Sequence, residues 1–209
     1  MEKKREFYVV EGGAAFNCFE GTKTFTHGAD TSFYIFTGGA DVDPALYGEN
    51  KHYSTHTSEI RDKKDLELYK KIDKNKLKVG ICRGAQFLTV MSGGSLIQDV
   101  SNHKMTTDEI MTADGLFHIE SDHHQMMYPF DVDNHVIIAT SNKSKSSYYL
   151  NGDNEEVEMP FEPEIVYYPN TNSLCIQGHP EWGSPYTPNN KKLRAYINKL
   201  IDYYVDKLK

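Results

Sequence analysis

The sequence feature that most constrains the fold is a short apolar run that ends at a cysteine flanked by glycines. The run Leu77–Ile81 is typical of a buried strand, and Gly84–Met91 has the pattern of a helix. Cys82 would stand at the sharp turn between them. Gly80 and Gly84 would fit such a turn, because side chains at these positions would collide with neighbouring backbone. The sequence therefore predicts a strand, a tight turn and a helix, with the sulfur raised off the edge of a sheet.

This arrangement would make Cys82 reactive, since it is the layout of a nucleophile elbow with cysteine in place of serine. The turn would place the sulfur at the N-terminus of a helix, where the helix dipole favours a thiolate over a thiol. The backbone amide of Arg83 would be free to donate to a developing oxyanion. A glycine-X-cysteine-X-glycine pattern is common by chance, so a buried structural thiol is the alternative interpretation.

Two more apolar runs indicate that the elbow belongs to a parallel sheet. Phe7–Val10 and Ser32–Phe36 end close to paired glycines, at Gly12-Gly13 and Gly38-Gly39 respectively. Between the second run and the cysteine strand lies Arg61–Asn75, where apolar residues recur at helical spacing. Strand, helix and strand in this order predict a βαβ unit.

A second candidate catalytic residue follows a predicted hairpin. Ile165–Tyr168 and Leu174–Ile176 are apolar runs joined by Pro169–Asn172, a strong turn signal. His179 comes soon after the second run, at the carboxyl end of a strand, where open α/β sheets build their sites. Glu181 can accept a hydrogen bond from the second ring nitrogen, as the third member of a catalytic triad does.

The remaining segments complete the outline. Val136–Ala139 predicts a strand, Asn142–Pro163 a solvated polar loop, and an apolar stripe after Thr187 and Pro188 a long helix that packs on the sheet. Only Thr24-Phe25-Thr26 suggests a strand in the glycine- and threonine-rich segment before Ser32. No linker or repeat divides the chain, so we expect one domain over residues 1–209.

Charge and cysteine content exclude several functional classes. The net charge of −7 disfavours nucleic acid or an anionic membrane as the main partner. We find no signal peptide and no stretch that approaches a membrane span. Cys18, Cys82 and Cys175 are widely spaced and form no CxxC pair, which predicts reduced thiols in the cytoplasm. Cys175, inside an apolar run, is typical of a core residue.

The acidic and histidine-rich segments do not predict a metal site. Asp41 and Asp43 follow paired glycines and precede Pro44, a context typical of turns and helix caps. Three histidines lack the paired spacing of zinc ligands on a defined element: His118, His123 and His124. We therefore expect no metal.

As a set of ordered motifs, these residues resemble the class I glutamine amidotransferase domain. The resemblance is greatest to its γ-glutamyl hydrolase-like branch, peptidase family C26. It rests first on GICRGAQ, from Gly80 to Gln86, and GHPEW, from Gly178 to Trp182. The supporting segments are Phe36–Glu49, the Arg61-Asp62 pair, Ser92–Asp99 and Ser121–Gln125.

The resemblance implies an α/β fold, a flavodoxin-like three-layer sandwich with a mostly parallel central sheet. It also implies hydrolysis of the γ-amide of glutamine, or of a γ-glutamyl amine or peptide, through a γ-glutamyl thioester and without a cofactor. Cys82 would be the nucleophile, His179 the base and Glu181 its orienting acid. Backbone amides at Gly39 and Arg83 would form the oxyanion hole. The positions implied to contact substrate are Gly38, Gln86, His123, His124 and Gln125.

Several alternatives stay open at this point. A free-standing hydrolase would act alone, whereas an amidotransferase subunit would pass ammonia to a separate synthetase. A non-catalytic binding module could retain the fold, although the intact Cys82, His179 and Glu181 argue against it. A peptidase of the related intracellular-protease type would carry histidine beside the cysteine, where Arg83 stands. The Arg83 side chain could bind a substrate carboxylate or pair with a surface acid.

Overall fold

The computed structural model describes residues 5–10, 18–24, 28, 31–184 and 186–207. The described residues form three α-helices, α1 Glu59–Lys71, α2 Arg83–Met91 and α3 Pro188–Asp206, and short 3-10 turns at Pro44–Leu46 and Pro129–Asp131. Their strands are β1 Glu6–Val9, β2 Thr22–Thr24, β3 Thr31–Phe36, β4 Leu77–Ile81, β5 Ser95–Ile97, β6 Asp99–Val100, β7 Thr106–Thr112, β8 Gly115–Ser121, β9 Met126–Tyr128, β10 Val136–Ser141, β11 Tyr149–Leu150, β12 Pro163–Tyr168 and β13 Ser173–Ile176.

Nine of these strands build the central sheet of the described region, in the order β2-β1-β3-β4-β13-β12-β10-β7-β8. The first five are mutually parallel. Only β12 and β7 run against them, so seven of the nine strands point the same way. The sheet is mostly parallel, as predicted, and its parallel half brings the carboxyl ends of β3, β4 and β13 to one edge.

Helices cover both faces of this sheet, which makes the chain a three-layer α/β sandwich. The alternation of side chains in a strand decides which layer each residue joins. Phe33 and Ile35 pack towards α3, in a cluster with its apolar stripe. Tyr34 and Phe36 point to the opposite face and pack with residues of α1 and α2.

Local signals explain where the helices end. Thr187 caps α3 by accepting a hydrogen bond from the amide of Asn190, and Pro188 opens the helix, as predicted. The residue after the C-cap of α2 is Gly93, whose φ of 93° favours glycine. Helix α1 ends at Lys71 rather than at the predicted Asn75, because the Asp73 side chain accepts from the Asn75 amide in a turn.

The predicted hairpin from Ile165 to Ile176 is confirmed as β12 and β13. A second hairpin, β7–β8, was not predicted, and it extends the antiparallel half of the sheet. The polar segment Asn142–Pro163 is mostly loop, as predicted, but contains β11, which pairs with β6. The predicted strand at Thr24–Thr26 overlaps β2 only at Thr24, since Phe25 and Thr26 lie outside the described residues, as do Gly12 and Gly13. No helix in the described part of the chain is long and apolar enough to cross a bilayer.

Candidate active site

The turn between β4 and α2 has the sharp geometry that the sequence predicts. Cys82 has φ of 50° and ψ of −112°, a sparsely populated conformation for a residue other than glycine. A Cβ at Gly80 would lie 2.5 Å from the Gly84 carbonyl oxygen, and one at Gly84 would lie 2.0 Å from the Phe36 oxygen. Both glycines are therefore needed, because backbone fills the space that a side chain would take.

Hydrogen bonds hold the strained residue in place. The Cys82 amide donates to the Ile176 carbonyl at 2.8 Å, and the Cys82 carbonyl accepts from the Gln86 amide at 3.1 Å, the first turn of α2. The sulfur lies 3.9 Å from the Asp122 carbonyl oxygen, which belongs to the loop after β8. The nucleophile candidate thus sits at a helix N-terminus, fixed to the neighbouring strand β13.

His179 is held beside Cys82 by contacts on every side. Its amide donates to the Glu120 carbonyl at 2.7 Å, and its Nδ1 lies 2.8 Å from Glu181 Oε1. Its ring stacks on Trp182, with ring centres 3.8 Å apart. Burial alone would lower the pKa of His179, but hydrogen bonds with Cys82 and Glu181 outweigh it and raise the pKa to about 10. The structure therefore brings the three predicted triad residues together, with His179 favoured as an imidazolium.

The loop after His179 is anchored by a residue that the sequence did not single out. Arg194 of α3 donates to the carbonyl oxygens of Pro180 at 3.0 Å and of Glu181 and Trp182 at 3.2 Å. A guanidinium group has five donors in a rigid fork, which suits a cluster of carbonyls. Arg194 thus fixes the backbone that carries Glu181.

Gly38 and Gly39 lie at the end of β3, next to the sulfur. A Cβ at Gly38 would lie 3.1 Å from His179 Cε1 and 3.8 Å from Cys82 Cβ, so this backbone borders both groups. Gly39 has φ of 150°, in the region that favours glycine. Its position beside the triad fits the oxyanion role that the resemblance implies.

The Arg83 side chain points away from the site and into the protein. Its guanidinium pairs with the carboxylates of Asp62 and Asp65, and its Nε donates to the Ala40 carbonyl at 3.1 Å. Arg83 is only 1% exposed, and both acids are buried. Neither interpretation of this side chain from the sequence was right, because its partners are buried acids of α1 rather than a substrate or a surface acid.

Gln86, Gln125 and His123 form the buried floor beneath this region. Gln86 donates to the Gln125 carbonyl at 2.8 Å, and Gln125 donates to the Thr55 hydroxyl at 2.9 Å. Neither ring nitrogen of His123 has a hydrogen-bond partner among the described residues. Burial, together with the nearby charge of His103, lowers the pKa of His123 to about 3, so this ring is neutral.

His124 is held between two acids. Its Nε2 lies 3.0 Å from Asp41 Oδ2 and its Nδ1 lies 3.4 Å from Asp99 Oδ1, and the hydrogen bond to Asp41 raises the pKa of His124. Asp43 caps the turn at Pro44–Leu46, as predicted. Asp41 instead ties that loop to His124 and to the His56 amide.

A buried ionic cluster next to His123 was not predicted. His103 bridges Asp108 and Glu162 through its two ring nitrogens, at 3.0 and 3.2 Å. Burial opposes the charge on His103, but these carboxylates raise its pKa to about 9. One ligand atom each from His103, Asp108 and His123 lie within 4.8 Å of one another, which is close enough to consider a metal. Because both nitrogens of His103 already serve the carboxylates, the cluster favours a proton over a metal ion.

The other two cysteines differ from Cys82 in their surroundings. Burial, followed by the charge of Glu181, raises the pKa of the Cys18 thiol to about 12. Burial also raises the pKa of Cys175, which is fully enclosed in β13. Both thiols therefore stay protonated, and Cys175 is the core residue that the sequence predicts.

Comparisons with known proteins agree with this geometry. The sequence model of the Peptidase C26 family matches residues 31–146. Among curated proteins, the "Putative glutamine amidotransferase-like protein YvdE homolog" of Lactococcus lactis subsp. cremoris is 46% identical over 69 residues. That match covers 32% of this chain and 37% of the relative, so the chain spans little more than a third of the relative's length.

Solved structures share the fold over almost the whole chain. A glutamine amidotransferase from Thermotoga maritima superposes with a TM-score of 0.64 at 12% identity, covering 98% of this chain and 99% of that protein. One of the subunits of a "putative GMP synthase" from Thermoplasma acidophilum gives 0.63 at 15% identity, covering 98% and 97%. These likenesses establish the glutamine amidotransferase fold. Because the family match spans more than half of the sequence, the chain belongs to the Peptidase C26 family.

Proposed function

We propose that this chain hydrolyses the γ-amide of glutamine, or of a γ-glutamyl amine or peptide, through a γ-glutamyl thioester on Cys82. One observation carries the proposal. A cysteine in a strained turn at a helix N-terminus faces a histidine that an acid holds by its other nitrogen. This is the arrangement that nucleophilic catalysis by a thiolate needs.

In the first half of the proposed reaction, the Cys82 thiolate attacks the side-chain carbonyl carbon and the carbonyl electrons move to oxygen. The amides of Gly39 and Arg83 would stabilise that oxyanion. As the tetrahedral intermediate collapses, the carbon–nitrogen bond breaks and the His179 imidazolium gives its proton to the departing ammonia or amine. The products of this half are a γ-glutamyl thioester and a neutral His179.

In the second half, neutral His179 removes a proton from water, and the resulting hydroxide attacks the thioester. The carbon–sulfur bond breaks, glutamate leaves, and the thiolate and imidazolium are restored. Glu181 would keep the ring oriented in both halves, since it bonds Nδ1 and leaves Nε2 for the substrate side. Gly38, Gln86, His123, His124 and Gln125 are proposed to line the glutamyl pocket, and every step uses only protein groups and water.

A second candidate is a glutaminase subunit that supplies ammonia to a separate synthetase. The likeness to the Thermoplasma acidophilum protein, described as belonging to a synthase, favours keeping it. Residues 1–209 would in either case act as one catalytic domain. We place the enzyme in the cytoplasm, because a thiolate nucleophile needs reducing surroundings.

The proposal is tested by measuring glutamate release from a panel of free glutamine, γ-glutamyl amines and γ-glutamyl peptides. We expect the wild type to release glutamate and Cys82→Ala to release none, while the control Cys18→Ala keeps its activity. A glutamine-mimicking diazoketone should label Cys82 and spare Cys18 and Cys175. Activity that survives in Cys82→Ala, or label spread evenly over the three thiols, would overturn the mechanism. Binding of the panel without turnover would indicate a non-catalytic module.

The same panel separates the two candidates. A stand-alone hydrolase turns over at least one γ-glutamyl compound without help. Release of ammonia from glutamine only when a synthetase is added would identify an amidotransferase component.

A further inference from the structure

The two proposed halves of the oxyanion hole come from different strand ends, and a buried ionic cluster joins them. Gly39 follows β3, whereas the Arg83 amide opens α2 after β4. The cluster consists of Arg61, Asp62, Asp65 and Arg83. All four belong to α1 or α2, and three of them are buried.

Arg83 links the elbow to the other half of the hole. Its amide would donate to the oxyanion, while its side chain runs back through the protein and donates to the Ala40 carbonyl at 3.1 Å. The remaining nitrogens of its guanidinium pair with Asp62 and Asp65 of α1. One residue therefore contacts the elbow, α1 and the loop after β3.

Arg61 holds that loop from the other side. Its Nη1 donates to the Gly38 carbonyl at 3.3 Å, and its Nη2 donates to the Thr37 carbonyl at 3.1 Å and hydroxyl at 2.9 Å. Its Nε donates to both oxygens of Asp65, at 3.0 and 3.1 Å. Asp65 is fully buried and shared by both arginines, so the two guanidinium groups have a common anchor.

Peptide geometry turns these carbonyl contacts into a statement about amides. In a trans peptide the C=O and the following N–H lie in one plane and point in opposite directions. The carbonyl of Gly38 shares its peptide unit with the amide of Gly39. When Arg61 holds the Gly38 oxygen on the α1 side, the Gly39 N–H is turned to the opposite side, where a Cβ on Gly38 would meet Cys82 and His179.

We propose that Arg61 is a positioning residue that, with Asp65 and Arg83, aims the Gly39 amide and keeps it in register with the Arg83 amide. This inference rests on the proposed function, since it assigns Arg61 to the oxyanion hole of that reaction. Arg61 does not touch the reacting atoms. It acts through the Gly38–Gly39 peptide, and the matching charges of two arginines and two aspartates keep the buried cluster neutral.

The first test compares Arg61→Lys with the wild type on the best substrate of the panel. A lysine keeps the charge but cannot hold Asp65 and two carbonyls at once. We expect kcat to fall by about 10- to 100-fold with KM changed by less than about threefold, because loss of one oxyanion donor costs roughly 100- to 1,000-fold. The control is Arg5→Lys, whose arginine pairs with Asp202 away from the site; it should keep the wild-type kcat.

Two further readouts separate positioning from a general structural role. Alkylation of Cys82 by iodoacetamide forms no oxyanion, so its rate should stay within about twofold in Arg61→Lys. The γ-semialdehyde of glutamate forms a thiohemiacetal that uses the hole, and its affinity should fall in parallel with kcat/KM. Equal losses in alkylation and turnover would show that Arg61 only maintains the fold and would overturn the inference.

Should Arg61→Lys not fold, the double variant Arg61→Gln with Asp65→Asn keeps the cluster neutral and should show the same split. Unchanged kcat in a folded variant overturns the inference while leaving the proposed function intact. A wild type that neither releases glutamate nor alkylates at Cys82 would instead refute the proposed function itself.

Discussion

The charge state of His179 offers a direct test of the proposed pair. Its pKa, raised from 6.5 to about 10, corresponds to about 5 kcal/mol in favour of the imidazolium. Among the groups that raise it, the hydrogen bond with Cys82 comes first. Replacing the sulfur in Cys82→Ala removes this partner and leaves Glu181, so we expect the midpoint to fall by about 1 to 3 pH units.

The measurement is a pH titration of the histidine Cε1–H signals by NMR, with protein labelled at that carbon. The sequence has nine histidines, and a His179→Asn variant identifies the signal of interest. In the wild type this signal should keep its protonated position up to about pH 9 and move around pH 10. The control is Cys175→Ala, which removes a thiol buried on the opposite side of β13 and should leave the His179 midpoint unchanged.

One result would refute the reasoning. If His179 titrates near pH 6.5 both in the wild type and in Cys82→Ala, the thiolate does not stabilise the imidazolium. The mechanism would then have to begin from a neutral cysteine and a neutral base.

Two further predictions concern stability. Gly84→Ala would place a Cβ 2.0 Å from the Phe36 oxygen, so we expect urea unfolding to show a loss of about 3 kcal/mol or more and activity to fall at least about 100-fold. His103 has a folded-state pKa near 9, above the unfolded value of 6.5. Its stabilisation is therefore complete below pH 6.5 and lost as the pH rises through 9. The stability gap between the wild type and His103→Asn should shrink by up to about 3 kcal/mol from pH 6 to pH 10.

Each of these predictions has its own control. A Cβ on Gly28 meets no atom within 4 Å, so Gly28→Ala should change the free energy of unfolding by less than about 0.5 kcal/mol. A similar small change in Gly84→Ala would mean that the elbow tolerates a side chain. A gap for His103→Asn that stays constant across the pH range would mean that His103 is neutral between Asp108 and Glu162.

The centre of the fold could be predicted because its signals are local. Strands β4 and β13 are continuous apolar runs that stop at a glycine or at a turn, and α3 announces itself by its cap and apolar stripe. The β7–β8 hairpin escaped because its strands are mainly polar, with one face in solvent. The Asp114-Gly115 pair at its turn was the available signal.

The partners of Arg83 could not be predicted from its own surroundings in the sequence. Asp62 and Asp65 lie 21 and 18 residues away, on another helix. Their spacing of three places them on one face of α1, and two acids on a face that also packs against a sheet are a signal of buried cations. The same limit applies to His103, whose carboxylate partners come from β7 and from the residue before β12.

The position of β13 in the sheet has a consequence for the newly made protein. Although it comes late in the sequence, this strand lies between β4 and β12, and its Ile176 carbonyl binds the Cys82 amide. While a ribosome is still making the first 172 residues, β4 has an open edge, the elbow lacks its anchor and no histidine faces the sulfur. The thiol is therefore unarmed throughout most of translation, and the appearance of reactivity at Cys82 would report that the middle of the sheet has closed.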